Sequence, residues 1–273
     1  MIKQHDMSRW LSIRTVTMGI IMLLFSVDVT RGFLSYATNN HLKDTFAMLP
    51  FMQTNTFYMK AIELAVLCFF SDAPFKEKNE MYYLMRCGKA RWGLGKYLYI
   101  MESGIGCAGV LLLVSLFVLL PVGKFSNTWG ELVRTISVDN NAIGTFFSAD
   151  AFVLNRYSPL QLLLYVFCID ALAFTLIGMM TFVFSLLWGR KMGYIVTIIV
   201  IYLPTIVLRH MGGSLVFFSP FSWLDMNFWR TGYDLRKPSL TYIVAVLLLL
   251  ILLLAVVGII RLQRFDWNGE EEV

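Results

Sequence analysis

The stretch TYIVAVLLLLILLLAVVGII, residues 241–260, holds fifteen Leu, Ile and Val residues and no charge. As a helix it reaches roughly 30 Å, the thickness of a bilayer's hydrocarbon core. At about −0.3 to −0.6 kcal/mol for each Leu, Ile or Val it partitions into lipid unaided and faces it. Five further runs read the same way, so six transmembrane helices are expected at about 13–30, 50–70, 95–121, 159–188, 194–208 and 241–260. With 58% hydrophobic and 15% charged residues in 273, the chain reads as one all-α transmembrane domain over 1–273.

An even number of spans puts both termini on one side of the membrane. With the ends inside, thirteen Lys and Arg fall on the cytoplasmic side, against nine in the longer opposite loops, so the positive-inside bias predicts cytoplasmic termini. Lys3, Arg9 and Arg14 lead into the first run and no small-residue cleavage site follows, which reads as a retained span. The expected location is the cell membrane of a bacterium, as a multi-pass protein. The net charge of +5 gathers at membrane borders, which the same bias explains without nucleic acid. Cys68, Cys87, Cys107 and Cys168 avoid the outer loops, and no disulfide is expected.

Several chemistries lack their residues. The nearest approach to a phosphate loop, GLGKY, has Ala90 where the first Gly belongs and Tyr97 where Ser or Thr would hold Mg²⁺. His5, His41 and His210 are far apart and form no zinc motif, and Ser103 has no base at a useful spacing. The chain reads as a non-enzyme that binds no cofactor and no metal of its own.

The second run, FMQTNTFYMKAIELAVLCFF, differs from the sixth. Lys60 and Glu63 cost roughly 3 kcal/mol each near a helix centre, while eight Leu, Ile, Val and Phe residues return about 4 kcal/mol in all. Such a helix needs partners. Lys60 and Glu63 share a face, and Glu102, Asp170 and Asp28 are further carboxylates within spans. Two readings stand: an ion-pair cluster that holds the bundle, or a substrate path lined by Lys60, Glu63, Glu102 and Asp170. Gly104 and Ala108 predict a close helix contact, within one subunit or across a dimer.

Between the last two spans, residues of about 212–230 carry Phe217, Phe218, Phe221 and Trp223, too apolar for an ordinary exposed loop. They read as short re-entrant helices forming an outer gate, or as an interfacial aromatic belt. Within the loop 122–157, TWGELVRTI suggests a short amphipathic helix.

Between the second and third spans lies SDAPFKEKNEMYYLMRCGKARWGLGKYLYI. Ser71 and Asp72 suit a cap, Pro74 a first turn and Gly88 a stop, predicting a helix at about 73–87. Glu77 and Glu80 lie early and Arg86 and Lys89 late, as the helix dipole favours. So short a helix must pack on something, either the bilayer surface or a groove in a soluble partner. This stretch, ending in LMRCGKARWGLGKYL, resembles the coupling region of permease subunits in type-2 ATP-binding-cassette (ABC) exporters, and VFFSPFSWLDMNFW is similar to that class's re-entrant helices.

The resemblance implies a membrane subunit that forms a translocation path with a second permease copy or paralogue, driven by cytoplasmic ATPase subunits that hold the ATP and Mg. It implies ATPase coupling through Phe75, Glu77, Glu80, Tyr82, Tyr83, Met85, Arg86, Lys89 and Arg91, with MIKQHDMSRW sharing the stroke. The cargo is expected among an amphipathic or antimicrobial peptide, a lipid-like molecule and a drug. The alternatives are a proton-coupled secondary carrier and a peptide-sensing or immunity subunit that moves nothing. Charge within the spans, Lys60 above all, departs from a lipid-handling relative.

Overall fold

The computed structural model describes residues 12–73, 88–139, 144–211, 213–230 and 236–264. The coupling helix expected at about 73–87, with Phe75, Glu77, Glu80, Tyr82, Tyr83, Met85 and Arg86, falls almost wholly outside the described residues, as does MIKQHDMSRW. Among the described residues, four helices are long and apolar enough to cross a membrane: α1 (Ile13–Asn39), α4 (Lys89–Val118), α7 (Pro159–Trp188) and α9 (Leu240–Arg264). They correspond to the first, third, fourth and sixth runs.

The second run is interrupted. Leu49–Met52 forms α2, the chain turns over Gln53 to Asn55, and α3 resumes over Thr56–Phe69 before a 3₁₀ turn at Phe70–Asp72. The reason is local: the Asn55 side chain accepts the Tyr58 amide at 3.0 Å and starts a new helix there. The fifth run lies within α8 (Arg190–Met211). Only Gly189 separates α7 from α8, and its φ of 83° permits the reversal.

The core is built around α7, which packs against α4, α8 and α9. Its sequence is apolar on every side, the signature of a helix surrounded by others. By contrast α9 keeps Leu248, Leu249, Leu252, Leu253 and Val256 exposed, the outward face expected of the sixth run. Gly104 brings α4 against α7: a Cβ there would meet the Thr175 amide nitrogen at 2.8 Å. Ala108 is buried on the same helix, so the small-residue contact is made within the subunit.

At the end of the bundle away from Ala73 and Gly88, two distant loops are clasped together. Strand β1 (Asp44–Thr45) pairs in parallel with β2 (Gly123–Lys124). The Asp44 carboxylate accepts the amides of Thr45 at 2.6 Å, Gly130 at 3.1 Å and Val133 at 3.1 Å, capping α5 (Glu131–Val138). Burial pushes the Asp44 carboxyl above its ordinary range, and these amides oppose the shift. Helix α5 is the amphipathic helix of TWGELVRTI, with Leu132, Val133 and Ile136 inward. A short α6 (Ala151–Arg156) leads into α7.

Candidate functional site

The charges of the second run fold inward. Lys60 and Glu63, one turn apart on α3, are 4% and 0% exposed, and Asp170 on α7 is 1% exposed. The Lys60 ammonium donates to Glu63 Oε2 at 2.7 Å and to the backbone oxygen of Ile201 at 3.0 Å. One side chain thus joins α3 to α8.

Asp170 is met by Gln53, whose amide nitrogen reaches both carboxylate oxygens at 2.9 and 2.8 Å. Nearby, the Tyr58 hydroxyl and Ser26 Oγ share a hydrogen bond at 3.1 Å, tying α3 to α1. Asp170 lies within electrostatic reach of Glu63. Glu63 Oε1 and Gln53 Oε1 are buried and find no hydrogen-bond partner among the described residues. The cluster therefore sets two carboxyls against one ammonium and keeps two acceptors open, so a single added proton would balance its charge.

Of the four residues expected to line a path, the fold gathers three. Glu102 is exposed on the outer side of α4, because Ser103 and Gly104 take the face turned to α7. Asp28 is likewise exposed on α1. Sequence reasoning missed Gln53, Tyr58 and Ser26. The run QTN within an apolar segment is the one signal that marks Gln53 as a residue needing a polar partner.

A second ionic group stands where the chain leaves for residues 74–87. Asp72 pairs with Arg14 of α1 at 2.9 Å and with Arg190 of α8 at 3.3 Å, and Arg190 also donates to the Ser71 carbonyl at 3.3 and 3.2 Å. Where the chain returns, Lys89 donates to the Gln263 carbonyl at the end of α9 at 3.4 Å, and Lys96 lies 5.3 Å from the buried Trp92 ring. Arg91 is exposed.

The segment expected to form an outer gate consists of 3₁₀ turns at Gly213–Phe218, Pro220–Ser222 and Met226–Phe228. Phe221 and Trp223 are fully buried and belong to the hydrophobic core. Trp223 Nε1 donates to the Val216 carbonyl at 2.7 Å and Trp229 Nε1 to the Trp223 carbonyl at 2.6 Å. Phe217 meets the Tyr242 ring edge-on at 5.5 Å, while Phe218 stands exposed. Asp225 caps the last turn through the Asn227 amide at 2.8 Å, and burial pushes its carboxyl up to about 7. Comparison of the chain with protein-family models, with curated proteins and with solved structures returned no match.

Proposed function

We propose that this chain is the membrane subunit of an ATP-driven exporter of the type-2 ABC class, with six spans and both termini in the cytoplasm. Helices α2 and α3 together make the second span and α8 makes the fifth. Two such subunits, copies or paralogues, form the path, and separate ATPase chains hold the ATP and Mg. One observation carries the reading: the segment expected to be the coupling helix enters and leaves through polar contacts to three other helices. Asp72 joins its entry to α1 and α8, and Lys89 joins its exit to α9. A push on 74–87 is thereby delivered to the bundle at several points. Gentle detergent extraction followed by mass spectrometry of the intact complex tests it. Co-purifying ATPase subunits support the reading, and a chain that performs ATP-independent transport alone overturns it.

The cargo we favour is an amphipathic peptide, ahead of a lipid-like molecule or a drug. In this reading Lys60, Glu63 and Asp170 hold the bundle, since two of the three Lys60 donors go to Glu63 and Ile201. A second reading, a proton-coupled carrier, is favoured by the excess carboxyl and the open Glu63 Oε1. Flux driven by a proton gradient in vesicles holding only this chain would select it.

A further inference from the structure

Between the end of α6 and the start of α9 lies a cavity of about 380 Å³, lined by Arg156, Tyr157, Arg230, Ser239, Leu240 and Thr241. It sits at the end of the bundle opposite Ala73 and Gly88. Both arginines are exposed, and neither has a carboxylate partner among the described residues. Arg156 lies 5.7 Å from the Tyr157 ring, and the Arg230 amide donates to the Pro238 carbonyl at 2.9 Å, which holds that arginine beside the first turn of α9. Ser239 caps this turn by accepting the Tyr242 amide at 3.3 Å, and its hydroxyl lies 3.0 Å from that of Thr241. Tyr157 is fixed in turn, because its carbonyl accepts Trp129 Nε1 at 2.9 Å.

Two arginines, two hydroxyl side chains and the amino end of α9 thus line one hollow. Each feature favours an oxyanion, and guanidinium forks match phosphate geometry. The hollow opens at the start of α9, and α7 begins three residues after Arg156, so in the six-span reading it lies near a membrane surface; Phe152 and Leu160 are exposed close by in the chain. We propose that this cavity binds a phosphate group, supplied by the headgroup of an anionic phospholipid or by phosphate in solution.

The test is native mass spectrometry of the full chain in micelles doped with phosphatidylglycerol or phosphatidylcholine, with and without added inorganic phosphate. Arg156→Gln with Arg230→Gln should lower the occupancy of bound phosphatidylglycerol or phosphate on the order of tenfold, the size of one lost charge-assisted hydrogen bond. Arg156→Lys with Arg230→Lys should fall between, since charge remains and the fork is gone. Arg134→Gln, exposed at the same end but off the cavity, should change nothing. Retention of phosphatidylglycerol that added phosphate does not displace identifies the lipid as the source, and displacement by phosphate identifies the soluble anion. The proposal is overturned if the double glutamine variant binds both probes like wild type, or if Arg134→Gln costs as much, which would make the arginines general interfacial anchors.

Discussion

Two ionic groups in this molecule use the same side-chain chemistry under opposite conditions. The Lys60, Glu63 and Asp170 cluster is closed off from solvent, whereas the side chains of Arg14, Asp72 and Arg190 are 37%, 41% and 58% exposed. Removing one member of a buried pair strands a charge in a poor solvent, while an exposed pair is screened and worth little by itself. The first group therefore fixes where helices sit. The second can open and re-form at little cost, which would suit a point of mechanical input in the proposed exporter.

Four measurements break or sharpen that contrast. Lys60→Met should destabilise the protein in micelles by about 3–5 kcal/mol, and Lys60→Met with Glu63→Met should recover most of the loss. Thermal unfolding of the two variants checks this, and an unaltered single variant would remove the distinction. Gln53→Leu should cost about 1–3 kcal/mol, because Asp170 loses both of its hydrogen bonds. Asp225 offers a buried carboxyl outside the spans: its folded form holds the proton up to about 7, above the ordinary carboxyl value, so stability should fall as pH rises from about 4 to about 7 and level off beyond. Asp225→Asn should flatten that slope in pH-scanned thermal unfolding. Arg190→Ala should cost less than about 1 kcal/mol, and rising salt should blunt the effect. If the junction transmits force, the same variant nevertheless uncouples ATPase turnover from transport, which reconstituted complexes would report.

The contrast also separates what a reader of the sequence can find from what stays hidden. The four long helices are legible because each carries a mostly apolar run of spanning length with few charges, and α5 is legible because TWGELVRTI alternates at helical spacing. Lys60 and Glu63 announce themselves by their cost in lipid. Their surroundings do not: Asp170 follows Gln53 by 117 residues, and nothing local says which apolar helix will bring it near. Asp72 reads as a helix cap from its neighbours, yet its partners are Arg14 and Arg190, set by how α1, α3 and α8 meet. Glu102 misleads for a related reason, since its neighbour Gly104 decides which side of α4 turns inward.

The clasp at Asp44 has a consequence for biogenesis. Its carboxylate emerges after the first helix, but the amides of Gly130 and Val133 that receive it are made nearly ninety residues later, beyond α4. A chain that is threaded amino end first must hold this acidic group open until α4 has crossed in the right direction and delivered the far loop. If α4 spans the bilayer as proposed, a copy with α4 reversed would leave the two halves of the latch on opposite faces, and closure of Asp44 would then record that the early segments were inserted correctly.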